Sequence, residues 1–213
     1  ELFNLFNEKL SDHLEFKPLD PWYRFHFHDS TTFDYSSTVE ETKKEISKFS
    51  PEDAESYDNL LKESEKIFDI GFTKLSDQPF TSFWTMIKQI PYLLKLKSYE
   101  SVSKMVSRHI KNKNIRSAFS IHPLLVGGNP YTTTSIYSLI HFLERKWGVF
   151  FCMGGTGKLV EELTNLMKRN DINIETNKNL KSVEHKDSVA YKAITECGKE
   201  YKFDNLIFNG DPP

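Results

Sequence analysis

The sequence predicts a mixed fold of the α+β or α/β class, and three observations lead there. Apolar and polar residues alternate at the strand period over 22–28, and they recur at helical spacing from Thr38 to Phe68. The last third then reads as strand, glycine turn, helix and several short strands, which suits an α/β layer.

The elements follow in order. An apparent helix covers 1–13. Residues 14–18 and 22–28 alternate as strands, and Asp29-Ser30 forms a hairpin turn before 31–35. Ser50-Pro51-Glu52-Asp53 is a strong helix start: a hydroxyl cap, proline at the first position and acids in the first turn. That helix is expected to carry Tyr57, Leu60, Leu61, Ile67 and Phe68 to about Gly71. A second helical block spans 83–119, broken at Pro91. It is basic, with Lys88, Lys95, Lys97, Lys104, Arg108, Lys111, Lys113 and Arg116 against a single acid, Glu100. Such a block is either a solvated face on a core helix or a surface that lies on anionic lipid. A helix over 135–146 precedes a strand at 149–151, and a soft domain boundary falls near Trp147. After Gly154-Gly155-Thr156-Gly157 comes a helix over 158–169, then strand-like pieces at 172–174, 180–183, 189–194, 201–203 and 206–208.

Composition bounds the function. The 213 residues are 38% hydrophobic and 27% charged, and 17 Phe with 9 Tyr imply broad apolar surfaces. A net charge of −2 argues against nucleic acid as the main partner. Cys152 and Cys197 show no metal-ligand spacing and are expected as reduced thiols. No apolar run approaches the ~20 residues of a membrane span, so any membrane contact is expected to be peripheral. The chain opens inside a helix at Glu1 and stops just past an apolar run, and it reads as an internal piece of a longer polypeptide.

The most informative stretch is His122-Pro123-Leu124-Leu125-Val126-Gly127-Gly128-Asn129-Pro130-Tyr131. It is an apolar segment that breaks at two glycines, turns at Asn-Pro and restarts as a helix capped by hydroxyls. It is either a tight corner between helices or a place where main chain approaches a ligand. Gly154-Gly155-Thr156-Gly157-Lys158 fails as a phosphate loop, because Cys152 stands where a glycine is needed and Leu159 where a hydroxyl is needed. No GxGxxG occurs. His26 and His28 share a strand face without further ligands, so no metal site is assigned. Ser120 and His122 lack the glycines of a nucleophile elbow.

Together these residues resemble the bacterial and fungal-type phytoene desaturases, the FAD-dependent carotenoid desaturases. The resemblance covers essentially the whole chain. It rests on Pro21-Trp22-Tyr23-Arg24, on Phe49-Ser50-Pro51-Glu52-Asp53 and on Ser120-Ile121-His122 with Leu124 to Pro130. It continues through Ser135 to His141, Glu144-Arg145, Trp147-Gly148-Val149, Gly154-Gly155-Thr156 and Asn209-Gly210-Asp211. It implies the middle portion of an FAD-dependent oxidoreductase fold, with 1–147 as a substrate-binding, membrane-facing helical part and 148–213 as part of the FAD-binding domain. By the same resemblance Gly154, Gly155, Leu180, Asn209, Gly210 and Asp211 contact the cofactor, FAD. His122, Leu125, Gly127, Gly128, Asn129, Pro130 and Tyr131 then lie near an apolar polyene, phytoene or a related carotenoid.

The implied enzyme dehydrogenates the polyene with hydride transfer to flavin, in the cytoplasm and peripherally on a membrane through the basic block 83–119. Many relatives carry an Arg-Asp pair where this chain has Trp84 and Thr85, and Thr85 is no general base at ordinary pH. No catalytic residue is therefore assigned, and Arg24 is the polar side chain to test first. The alternatives are a related flavoprotein isomerase, saturase or oxidase and, from another class, a non-catalytic membrane- or protein-binding module.

Overall fold

A computed structural model describes residues 2–73 and 96–210, with Ile87, Ile90, Pro91 and Leu94 between them. Backbone packing divides the chain into one compact unit, Glu15–Gly155, and another formed by Glu1–Leu14 with Thr156–Pro213.

The Glu15–Gly155 unit is built on a hairpin and a set of helices. Strand β2 (Tyr23–His26) pairs antiparallel with β3 (Thr32–Tyr35), placing Tyr23 opposite Tyr35 and His26 opposite Thr32. The turn forms where the sequence places it. Asp29 Oδ1 accepts from the Thr31 amide at 3.1 Å and its hydroxyl at 2.6 Å, while Ser30 takes a left-handed φ of 62°. Helix α2 (Val39–Ser47) is capped by Thr38, whose hydroxyl accepts from the Glu41 amide at 3.2 Å. Helix α3 (Pro51–Gly71) starts as expected, with Ser50 Oγ accepting from the Asp53 amide at 3.2 Å.

Asp53 does more than favour the helix start. Its buried carboxylate accepts the amides of Lys111 at 2.9 Å and Asn112 at 2.7 Å, tying α3 to the link between α4 (Val102–His109) and α5 (Lys113–Phe119). Phe33, Tyr35, Ile46, Tyr57, Leu60 and Ile67 meet Val102, Met105, Ile110, Ile115 and Phe119 in one core. Short 3₁₀ turns at His122–Val126 and Ser135–Ser138 lead to α6 (Leu139–Trp147). Strand β4 (Phe150–Cys152) closes the unit against β1 (Phe16–Pro18), antiparallel, with Phe16 opposite Cys152.

In the other unit, α1 (Leu2–Leu5) is followed by a 3₁₀ turn at Leu10–Asp12. The continuous 1–13 helix does not form, because Asn7 at φ 59° breaks the helical path. Glu8 joins the two parts of this unit, receiving Arg169 Nε and Nη2 at 3.1 and 2.6 Å and pairing with His13 at 2.7 Å. Arg169 ends α7 (Thr156–Arg169). Strands β5 (Leu180–Lys186), β6 (Val189–Thr195) and β7 (Glu200–Lys202) then form a meander. This corrects the α/β expectation. All three strands are antiparallel, since the two-residue link Asp187-Ser188, both at positive φ, joins only antiparallel neighbours. Residues 172–174 and 206–208 are not strands: among the described residues neither run has a ladder partner. An apolar run becomes a strand only beside another strand.

Candidate functional site

The break at His122–Tyr131 is held from two sides. Gly127 takes φ 73°, a conformation that costs a side-chain-bearing residue, and ends the 3₁₀ turn. A Cβ on Gly128 would lie 2.7 Å from Thr133 Oγ1 and 3.2 Å from the Pro123 carbonyl oxygen. Gly128 is therefore required by packing, whereas Gly127 meets open space and is required by its backbone angle. Asn129 Oδ1 accepts from the Tyr131 amide at 2.9 Å, closing the Asn-Pro turn. The Pro130 and Thr133 carbonyls accept from the Ser103 and Val102 amides, both at 3.0 Å, so the far limb is pinned to the start of α4.

The near limb is anchored in the core by a buried polar network. His122, 2% exposed, places Nε2 3.3 Å from Glu144 Oε2, and Glu144 Oε1 accepts from Tyr23 Oη at 2.7 Å. Burial, and then the hydrogen bond to Glu144, push the Tyr23 phenol well above its ordinary pKa. The next ring, His141, lies 5.5 Å from His122 and hydrogen-bonds Tyr35 Oη through Nδ1 at 3.1 Å. Burial, with His122 and Arg145 nearby, holds His141 well below its usual pKa and hence neutral at pH 7. Beside it, the Arg145 guanidinium lies 4.6 Å from the Trp22 ring centroid and 4.5 Å from that of Tyr35. It donates to Tyr57 Oη, Thr42 Oγ1 and the Ser36 carbonyl.

The structure thus distinguishes among the residues expected at the polyene. His122 is an anchor enclosed by protein, and a direct ligand contact demands an exposure its ring lacks. Leu125 and Tyr131 are exposed, the latter at 74%, as are Gly127 and Asn129, while Gly128 and Pro130 are half-buried. The network of Tyr23, Glu144 and Arg145 was not legible as a site. Glu144 and Arg145 are adjacent in sequence, and nothing in the sequence shows which distant hydroxyls they reach.

Arg24 lies on exposed β2 and donates from Nε and Nη2 to Asp34 Oδ1 and Oδ2 at 2.7 and 2.8 Å across the hairpin. The hydrogen bond from Arg24 holds Asp34 below its usual pKa. Both ends of the guanidinium fork are occupied by a structural partner.

The expected cofactor residues fall on two local features. After β4 the chain turns through Gly154 at φ 87° and Gly155 at φ 81°, closed by a 2.9 Å hydrogen bond from the Gly155 amide to the Cys152 carbonyl. A Cβ on Gly155 would meet nothing within 4 Å, so bare backbone faces open space, as close approach of a planar or phosphorylated group requires. In the other unit, Leu180 begins β5, an edge of the three-stranded sheet. Asn209 and Gly210 are exposed beyond the unpaired 206–208 run, and Asp211 lies outside the described residues. Of these, the Gly154-Gly155 turn suits the close approach of a cofactor, because it carries no side chain, whereas the Phe208 ring lies against Gly210.

The basic block divides. Trp84, Thr85, Lys88 and Lys95 lie outside the described residues. Over 102–119 the apolar face is core: Val102, Met105, Ile110 and Ile115 are fully enclosed, so it is not available to lie on lipid. Two of its cations are paired with acids of α3 that the local sequence did not reveal, Arg108 with Glu63 and Lys111 with Glu52, and Arg108 also meets Glu100 of the block itself. Among the described residues, no helix is long and apolar enough to cross a membrane, and no group of three or more His, Cys, Asp or Glu is placed to hold a metal.

No family model matches the chain. Among curated proteins it is 39% identical over 210 residues to a phytoene desaturase (lycopene-forming) of Pseudescherichia vulneris, covering 99% of this chain and 43% of that protein. It is 42% identical over 168 residues to the protein of the same name from Pantoea ananas, covering 79% of this chain and 34% of the relative. To that of a Paracoccus species it is 35% identical over 211 residues, covering 99% and 42%. The chain spans less than half the length of these relatives. Its near-complete alignment with proteins of one name places it in the phytoene desaturase family.

Proposed function

We propose that the protein carrying this chain is an FAD-dependent carotenoid desaturase, an oxidoreductase that removes hydrogens from adjacent carbons of a long polyene such as phytoene in carotenoid biosynthesis. The observation that supports this most is the 39% identity sustained over 99% of the chain. When bound, FAD supplies the hydride acceptor. The chain's own contribution is orientation and the exclusion of water, because a polyene offers no charge to grip.

In this reading 148–213 returns to an FAD-binding domain, and Gly154, Gly155, Leu180, the exposed Asn209 and Gly210, and Asp211 contact the cofactor. Leu125, Gly127, Gly128, Asn129, Pro130 and Tyr131 border the polyene, and His122 fixes that segment through Glu144. The 1–147 part presents this surface to a membrane that dissolves the substrate. Ile87, Ile90 and Leu94 support that contact: they are helical and exposed at spacings of three and four residues, with lysines interleaved in sequence. The enzyme is then cytoplasmic and peripheral.

Purification of the full-length protein tests the cofactor assignment. Near-stoichiometric FAD is expected, with reduced occupancy after Gly155→Val. A soluble, folded protein without flavin overturns the proposal.

A further inference from the structure

A cavity of about 520 Å³ opens between α4, α5 and the His122–Tyr131 break, beyond any residue assigned above to cofactor or catalysis. Its walls include Ser103, Lys113, Arg116, Ser120, Leu124 and Tyr131, and no acidic residue lines it among the described residues. Arg116 is half-buried, and neither it nor Lys113 has a carboxylate within 4.0 Å among the described residues. Asp29 feels Lys113 electrostatically but makes no ion pair with it, and its oxygens accept from Thr31 and from Asn114 Nδ2. The serines contribute no competing charge. Ser120 Oγ donates to the Arg116 carbonyl at 2.7 Å, and Ser107 and Ser117 likewise donate to carbonyls one turn back. The contrast with Arg108 and Lys111 in the same block is direct, since both of those are neutralised by acids of α3.

The lip of the cavity has the opposite chemistry. Leu124 is 60% exposed and Tyr131 74%, and Leu125 and Val126 continue the same exposed turn. Two cations without an ion-pair partner among the described residues, in a concave site bordered by protruding aliphatic side chains, match a ligand that joins an anion to an apolar tail.

We propose that this cavity binds the phosphate of an anionic phospholipid, with Lys113 and Arg116 on the headgroup and Leu124 and Val126 against the acyl chains. The proposal refines the membrane contact inferred above and is independent of the flavin chemistry. A free phosphate shares the headgroup chemistry but has no use for the aliphatic lip. Headgroup binding here sets the His122–Tyr131 segment at the bilayer surface, where a membrane-dissolved polyene enters.

Co-sedimentation of the full-length protein with vesicles of pure phosphatidylcholine, and of equimolar phosphatidylcholine and phosphatidylglycerol, tests this. Binding is expected only to the anionic vesicles. Each basic residue at an anionic surface is worth roughly fivefold, so Lys113→Gln with Arg116→Gln is expected to weaken binding about 25-fold. Arg116→Lys retains most of it, and Leu124→Ser with Val126→Ser weakens it separately. The charge-matched Lys44→Gln with Lys62→Gln, on exposed sites of α2 and α3, leaves it nearly unchanged. No binding to anionic vesicles overturns both this proposal and the wider membrane reading. Vesicle binding that survives the Lys113 and Arg116 changes, or that the control pair weakens equally, overturns the cavity alone. Inorganic phosphate bound through Lys113 and Arg116, with vesicle binding indifferent to the Leu124 and Val126 changes, marks a free-anion site and overturns the lipid assignment.

Discussion

Replacing Arg145 with methionine tests the buried network that holds the candidate substrate segment. The guanidinium donates to Tyr57 Oη from Nε at 3.1 Å and Nη2 at 3.0 Å, to Thr42 Oγ1 at 2.6 Å and to the Ser36 carbonyl at 2.8 Å. Tyr57 and Thr42 are both 0% exposed, so water does not replace the lost donors. Thr42 Oγ1 keeps its own bonds to the Ser36 and Thr38 carbonyls, so the loss is that of the hydrogen bonds themselves, about 1 kcal/mol net for each of the two hydroxyls. Loss of the cation over Trp22 and Tyr35 adds about 1 kcal/mol. Methionine preserves most of the stem packing, so the sum is about 3 kcal/mol. At 2–4 °C per kcal/mol for a unit of this size, melting followed by tryptophan fluorescence falls by about 6–12 °C. Arg145→Lys keeps the cation but not the fork, and it lands between the two. A methionine variant melting within about 2 °C of the parent refutes the reasoning, since it shows the guanidinium's hydrogen bonds to be worth little.

Two further outcomes follow from the same structure. Gly128→Val forces its Cβ against Thr133 and the Pro123 carbonyl, costing about 2 kcal/mol and displacing the break, whereas Gly127→Ala costs only about 1 kcal/mol of backbone strain; denaturant melts and polyene turnover of the two variants are expected to rank in that order, and equal effects contradict the packing assignment. At Glu63 burial alone raises the pKa, but hydrogen bonds from His109 and Arg108 outweigh it and bring the carboxylate down to about 2. A depressed carboxylate contributes stability that is complete above its unfolded pKa of about 4.3 and lost as pH falls towards the folded value. Glu63→Gln is therefore expected to flatten the loss of stability between about pH 4.3 and 2, measured by acid titration of the fold, and an unchanged acid limb contradicts the ion-pair assignment.

Local chemistry was legible in the sequence where a few adjacent residues decide the outcome. Ser50-Pro51 gave the start of α3, and Asp29-Ser30 gave the β2–β3 turn, because a cap or a turn is completed within four residues. Partners distant in the chain were not legible. The acids that neutralise Arg108 and Lys111 come from α3, and the hydroxyls that hold Arg145 come from α2 and α3. For the same reason the apolar runs 172–174 and 206–208 read as strands. They have β propensity, but a strand is a property of a pair, and no described residue pairs with them. Within the candidate site, the two glycines of the break were visible as a feature. Their different causes, packing at Gly128 and a left-handed φ at Gly127, appear only in three dimensions.

The central claim is the desaturation of a polyene, and pigment analysis tests it most directly. Cells that accumulate phytoene are given the full-length gene, and their carotenoids are separated and read by absorbance. Coloured products with longer conjugated systems than phytoene are expected. Colourless cells that nevertheless contain the soluble, flavin-loaded protein contradict the claim.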